Sequence, residues 1–186
     1  MLDMVEFIPI NLNFHKPLLV DLNEEYLSWI ADEMKKHYDL DIMNMEGTFQ
    51  NNKIEQKVPI RVYAKMSVEQ LTSYIPPEGI YYILQIDEKV AGMGALRKMK
   101  MNVGEVKRMY IRPEYREQGL GKALLQQLLR KAKEFRFSTI RLETGLFMTT
   151  AQYIYHEAGF REIDEYPETE VPPPLRPYWL FMEKKI

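Results

Sequence analysis

The chain has 186 residues, 46% of them hydrophobic, no cysteine, and a net charge of −2 from 25 basic and 27 acidic side chains. That length suits one domain over residues 1–186 with a substantial core, slightly long for one domain and short for two. The charge balance argues against nonspecific nucleic-acid binding, and the lack of cysteine excludes a disulfide framework, a thiolate metal site and an acyl-enzyme on sulfur.

Asp21 with Glu24 reads as a capping box opening a helix whose Leu22, Tyr26, Trp29, Ile30, Met34 and Tyr38 share one face. Ser67-x-x-Gln70 opens a second, shorter helix that Pro76-Pro77 ends, while the polar stretch 39–65 between them gives no assignment. Ile80 to Ile86, Asp87-Glu88-Lys89 and Val90 to Leu96 read as a β-hairpin. A turn at Lys100 to Gly104 then leads into a strand from Val106 to Ile111, ended by Arg112-Pro113. An amphipathic helix runs from about Gly119 through Ala123, Leu124, Leu125, Leu128, Leu129 and Ala132, and strand, helix and strand follow. That order argues for a mixed sheet with helices packed on its faces.

Between strand and helix lies Arg116-Glu117-Gln118-Gly119-Leu120-Gly121-Lys122. Glycines let backbone approach a ligand, and the free N–H groups of a first helical turn attract an anion. Lys122 opposes the helix dipole unless an anion neutralises both. A Walker A loop would need glycine at position 116 and Ser or Thr at 123, where Arg116 and Ala123 stand. A dinucleotide fingerprint would place its acid near Glu143, but Leu124 holds the third glycine position and a polar connection from Arg112 to Gln118 replaces the tight turn. The remaining readings are an anion cradle and a glycine pair that merely breaks a strand and starts a helix.

These residues resemble motif A of the GNAT superfamily of N-acetyltransferases, Arg or Gln, two residues, Gly, one residue, Gly or Ala, here Arg116-x-x-Gly119-x-Gly121 within 106–125. A second block, 148–160, is similar to motif B through Ala151, Tyr155, Gly159 and Phe160. It departs from the motif at Met148, where the family often has Asn, and at Ile154, where it has Leu. The resemblance covers about residues 78–186 and leaves 1–77 as a divergent N-terminal part. It implies an α/β (α+β) fold with a mixed, mostly antiparallel sheet, splayed central strands and helices on both faces. It also implies acetyl-CoA as cosubstrate, with pantetheine on Met109, Tyr110 and Ile111 and pyrophosphate on Arg116, Glu117, Gln118, Gly119, Leu120, Gly121 and Lys122. Arg130, Lys131, Lys133 and Arg136 lie at the far end of that helix, where cations suit its dipole without a ligand.

The reaction so implied is direct transfer of acetyl to a primary amine in a ternary complex. An alkyl ammonium of pKa near ~10.4 must first lose a proton, to a base or an ordered water. Glu105, at the start of the cofactor-bearing strand, is the first candidate base and Glu143 the second; either is equally a solvated strand-end acid. Tyr155 matches motif B, where the family's phenol often lies near the sulfur and can protonate the departing thiolate; a structural tyrosine is the alternative. His15, His37 and His156 have no paired metal-ligand spacing, and Asp39-x-Asp41 lacks a calcium loop's glycine and distal glutamate, so no metal is expected. Twelve methionines fit core filling, with adaptable packing around an acceptor pocket as the alternative.

Glu162, Asp164, Glu165, Glu168 and Glu170 crowd the segment before Val171-Pro172-Pro173-Pro174. They read either as a solvated loop or, because the family's last connection often borders the acceptor, as a surface for a cationic acceptor. A noncatalytic acyl-CoA-binding module and a dinucleotide-binding protein are the competing function classes. The acceptor is a small-molecule or a peptide or protein amine, with no nucleic-acid or membrane partner and a possible homodimer. Lacking a signal-peptide pattern and any apolar run near ~20 residues, the chain is expected to be cytoplasmic.

Overall fold

A computed structural model describes residues 5–45 and 58–186. In chain order it contains β1 (Val5–Pro9), α1 (Leu12–Tyr38), α2 (Ile60–Glu69), β2 (Gly79–Ile86), β3 (Lys89–Lys100), β4 (Val103–Ile111), α3 (Leu120–Glu134), β5 (Thr139–Gly145), α4 (Thr149–Glu157), β6 (Arg161–Ile163) and β7 (Trp179–Lys185). The sheet order is β1-β2-β3-β4-β5-β7-β6, and β4–β5 is its one parallel pair among the described residues. Most of the unassigned segment 39–65 lies outside the described residues; α2 begins at its end.

Both faces of the sheet are covered, so β2 reads as a continuous apolar run rather than an alternation. Ile80 and Tyr82 point into a core with Leu124, Leu125 and Leu128 of α3 and Phe160. Tyr81 and Ile83 point the other way, against Leu19, Leu22 and Leu27 of α1 and Ala64 and Val68 of α2. A third cluster joins Ile30 and Met34 of α1 to Tyr166, Val171, Leu175 and Phe181 of the C-terminal segment. Each fully buried aliphatic side chain contributes ~1.5–3 kcal/mol, which holds the helices to the sheet.

Two helix starts differ from the sequence reading. α1 begins at Leu12, capped by Asn11, whose side chain accepts the Asn13 N–H at 2.9 Å. Asp21 and Glu24 lie mid-helix and both bind Arg61 of α2. Acids three apart share a helix face as readily as they cap one, so the pair bridges two helices instead of opening one. The second helix is already ending at Ser67 to Gln70, with a 3-10 turn at Leu71–Tyr74 after it.

Two irregularities shape the middle of the sheet. β4 pairs with β5 only from Val103–Thr139 to Val106–Leu142, after which the strands part. On its other side β4 carries a bulge: Met93 pairs with Tyr110 and Ala95 with Lys107, so Gly94 alone faces Arg108 and Met109. Arg108 takes a left-handed φ of +54°. One extra residue flips all that follows to the opposite face. Met109 therefore packs on the α3 side and Tyr110 on the α1 side.

Candidate active site

The parting of β4 and β5 opens a cavity of about 600 Å³. Met109, Tyr110 and Ile111 form one wall, Arg116, Glu117, Gly119, Leu120, Gly121 and Lys122 a second, and α4 with Tyr155 a third; Trp29 and Phe147 close it from the α1 side. The structure thus brings together the residues named for cofactor binding, except Gln118, which does not line the cavity. Glu105 and Glu143 do not line it either.

Glu117 and Gly119 adopt left-handed φ values of +62° and +76°, folding the loop back on itself before α3. The first main-chain bond of α3 runs from Ala123 N–H to Gly119 O, leaving the amides of Leu120, Gly121 and Lys122 without a helical acceptor. A Cβ added at Gly119 would meet nothing within 4 Å, and one at Gly121 only Ile154 Cδ1 at 3.3 Å. The space over both glycines is open. Arg116 donates from Nε to Ile111 O at 3.0 Å, and its guanidinium lies 5.1 Å from the Trp29 ring centroid. Among the described residues neither Arg116 nor Lys122 has an ion-pair partner, so two free cations border three free amides.

Tyr155 is buried on α4, edge-on to Phe160, with its hydroxyl 3.9 Å from Met109 Sδ. Burial pushes the phenol's pKa up, so it holds its proton throughout the physiological range. At position 148 the thioether accepts a contact from Thr144 Oγ1 at 3.6 Å. The amide that ties α4 to β5 is instead Gln152, whose Nε2 donates to Gly145 O at 2.8 Å and Leu146 O at 3.1 Å. Sequence reasoning passed over Gln152 because it occupies a variable position of the motif.

The carboxylates sit in a charge network where β4 and β5 part. Glu105 is fully buried; Arg97 donates to Oε2 from Nε at 2.8 Å and Tyr166 OH to Oε1 at 3.0 Å. Burial, together with the neighbouring Glu143, raises its pKa more than Lys107 and Arg97 lower it. Glu143 lies just past Leu142, accepting from Lys107 Nζ at 3.0 Å and Thr169 Oγ1 at 2.5 Å. The acidic segment is neither a bare solvated loop nor a free anionic surface. Glu170 pairs with Arg97 and Lys107, Glu168 with Lys100, Glu165 with Arg176, and Glu162 with His156. Glu168 and Glu170 strap their segment across β3 and β4.

His37 is paired to Glu33 and His15 to the Asn11 amide. Among the described residues no three His, Asp or Glu side chains gather as a metal site, and no helix is long and apolar enough to cross a membrane.

A mixed sheet that parts beside a glycine turn, with a neutral phenol facing the opening, is the architecture of an acyltransferase. Residues 41–160 match the model of the acetyltransferase (GNAT) family, and the chain belongs to it. An uncharacterised N-acetyltransferase of Escherichia coli, YjgM, is 30% identical over 94 residues, 49% of this chain and 56% of that protein, so the match spans about half of the relative's length. A GNAT-family acetyltransferase from Staphylococcus aureus has the same fold at a TM-score of 0.66 and 20% identity, covering 98% of this chain and 99% of the other. The PaiA N-acetyltransferase of Thermoplasma acidophilum, crystallised with coenzyme A, aligns at a TM-score of 0.63 and 16% identity over 98% and 99% of the two chains.

The strap has a pH signature. Burial alone would raise the Glu170 carboxyl, but Lys107 and Arg97 outweigh it and hold the group below its ordinary value. A lowered folded-state pKa stabilises above the ordinary glutamate range and is lost as pH falls through the lowered value. Urea midpoints of the parent should therefore drop on acidification from neutral pH to about pH 3, and Glu170→Gln should be less stable at neutral pH with a shallower acid loss. Identical slopes in both would mean the pair does not form in solution.

Proposed function

We propose that this chain transfers the acetyl group of acetyl-CoA directly to a primary amine within a ternary complex. The observation that carries the reading is one cavity joining the glycine turn, the β4 edge released from β5 and the Tyr155 hydroxyl. The coenzyme A held by the Thermoplasma chain, which shares the fold, supports it.

Acetyl-CoA, when bound, supplies a thioester carbonyl already activated towards nitrogen. The amides of Leu120, Gly121 and Lys122, with the Lys122 and Arg116 cations, would hold its pyrophosphate, and the open space over the glycines fits that group. The released edge at Met109 to Ile111 would take the pantetheine amides as a sheet takes another strand. Tyr155 would give its proton to the sulfur as the C–S bond breaks and the C–N bond forms. The amine arrives protonated and must surrender a proton first. Glu143 is the carboxylate favoured for that step, because it stands on the part of β5 that has left β4, whereas Glu105 stands on the paired part; neither lines the cavity, so the proton would pass through an ordered water.

The direct test is calorimetric titration with acetyl-CoA, followed by thiol release across a panel of amines. Saturable binding and amine-dependent release are expected; binding without release for every amine would leave a noncatalytic module, and no binding would overturn the cradle.

Three substitutions resolve the parts. Gly121→Glu puts bulk and negative charge where the phosphates would sit, so acetyl-CoA affinity should collapse in a folded protein. Undiminished affinity would remove the glycine turn from the site. Tyr155→Phe keeps the ring but loses the donor, and kcat should drop ~10²–10⁴-fold with acetyl-CoA affinity little changed. A kcat within a factor of a few of the parent would make the phenol structural. Glu143→Gln should lose activity at neutral pH and recover it at high pH, where more amine is already neutral; if Glu105→Gln shows that pattern and Glu143→Gln does not, the base is Glu105.

A further inference from the structure

The segment expected to offer acids to a cationic acceptor spends most of them on cations of its own chain, while in the bulge of β4 a partly buried cation has no acid among the described residues. Arg108 occupies the β4 bulge, one residue before Met109, whose sulfur touches the Tyr155 hydroxyl. Its Nη1 donates to Oδ1 of Asn23, a fully buried side chain that is itself anchored by donating from Nδ2 to Leu19 O at 2.7 Å and to Tyr81 OH at 3.3 Å. Arg108 Nε is buried and has no hydrogen-bond partner. Among the described residues Nη2 makes no hydrogen bond and no carboxylate reaches the guanidinium; its electrostatic neighbours are the hydroxyls of Tyr81, Tyr74, Tyr26 and Tyr63.

A guanidinium stays charged at any pH the fold survives, and a buried N–H left unpaired is unfavourable. The chain nonetheless fixes this one twice, through Asn23 and through a left-handed backbone that a non-glycine residue adopts only under constraint. What remains free is the Nε/Nη2 edge, whose two parallel N–H bonds match the two oxygens of a carboxylate. The position of that edge is informative. Tyr26 packs on Tyr110 and Trp29 in the cavity wall and has Arg108, Lys107 and Glu143 as its charged neighbours. Arg108 is not itself among the residues that line the cavity; it is tied to the opening through Met109, its neighbour in the chain, and through Tyr26, which packs on Tyr110 of the cavity wall.

We propose that Arg108 anchors the carboxylate of the acceptor, so that the substrate class is a small aminocarboxylate such as a free amino acid, its amine directed to the transfer point and its carboxylate to the bulge. The proposal rests on the transferase reading above. It assigns Arg108 to binding and leaves the chemistry to other side chains.

The test compares amino acids with their amides, phenylalanine with phenylalaninamide and methionine with methioninamide, in thiol release by the full chain. The amide's amine is the weaker base and more of it is neutral, so chemistry alone would favour the amide. The parent should instead favour the carboxylate through KM, by about 10- to 100-fold, the range of a hydrogen-bonded charge. In Arg108→Gln, checked for folding by circular dichroism and for acetyl-CoA binding, that ratio should fall towards one. Arg108→Lys, which keeps the charge and loses the fork, should lie between. A thermal shift of the parent with N-acetylphenylalanine against N-acetylphenylalaninamide reads the same preference without turnover or any variant. No preference for the carboxylate in either assay overturns the anchor. A preference that survives intact in folded Arg108→Gln overturns the role of Arg108. Carboxylate preference in the shift assay with no acetyl-CoA binding supports the anchor and overturns the transferase reading instead.

Discussion

β4 and β5 are joined only between Val103–Thr139 and Val106–Leu142, and the rest of the site depends on where that pairing stops. A strand released from its neighbour leaves a row of main-chain groups that need partners. The sheet cannot close the gap, because β4 continues along β3 to Ile111 while β5 continues along β7 to Gly145. On the α1 face the point of divergence is filled by Lys107 set against Glu105, Glu143 and Glu170. Buried pairs of this kind add little net stability over an apolar filling, but removing one member costs ~3–5 kcal/mol. Their effect here is geometric: Lys107 on β4 holds Glu143 on β5 across the opening, and Glu170 brings the C-terminal strap to the same place.

The bulge at Arg108 and Met109 divides the labour of β4 between the two faces of the sheet. Without it, the alternation that puts Val106 on the α3 side and Lys107 on the α1 side would turn Met109 to α1 and Tyr110 to α3. With it, Met109 lies under the Tyr155 hydroxyl and Tyr110 joins Tyr26 and Trp29. Gly94 opposite is part of the same construction, since a Cβ there would come within 2.8 Å of Leu124 Cδ2. α3 can therefore approach the sheet closely, which sets the glycine turn at the mouth of the opening.

The sequence made the contiguous parts of this arrangement legible. The hairpin, the strand ending at Ile111, the glycine turn and the helix bearing Tyr155 are each encoded in a short run whose residues meet one another locally. What escaped is nonlocal or lacks a residue signature. Glu165, Glu168 and Glu170 look alike in sequence, and only the fold assigns their partners, Lys100, Arg97 and Lys107 through the sheet and Arg176 through the turn after the prolines. Asp21 and Glu24 satisfy a capping pattern by accident of spacing, because Arg61 of a distant helix is what binds them. The bulge is hidden because its left-handed residue is an arginine, where glycine or asparagine would have announced it.

That arginine also changes what the overall charge means for the site. A net charge of −2 suggests an acidic protein, yet Glu165, Glu168 and Glu170 are each paired with an arginine or lysine of the chain, while Arg108, Arg116 and Lys122 have no ion-pair partner among the described residues. Unpaired positive charge therefore stands at the glycine turn and again at the bulge. The two places differ in depth. Arg116 and Lys122 stand in solvent, where salt screens them over a Debye length of ~10 Å at 0.1 M, whereas Arg108 is only partly exposed, with its Nε buried, and is screened less. A long polyanionic cosubstrate suits the first setting, since several contacts share its charge. A single carboxylate suits the second, where one well-formed pair of hydrogen bonds, shielded from water, can distinguish it from the neutral amide of the same shape.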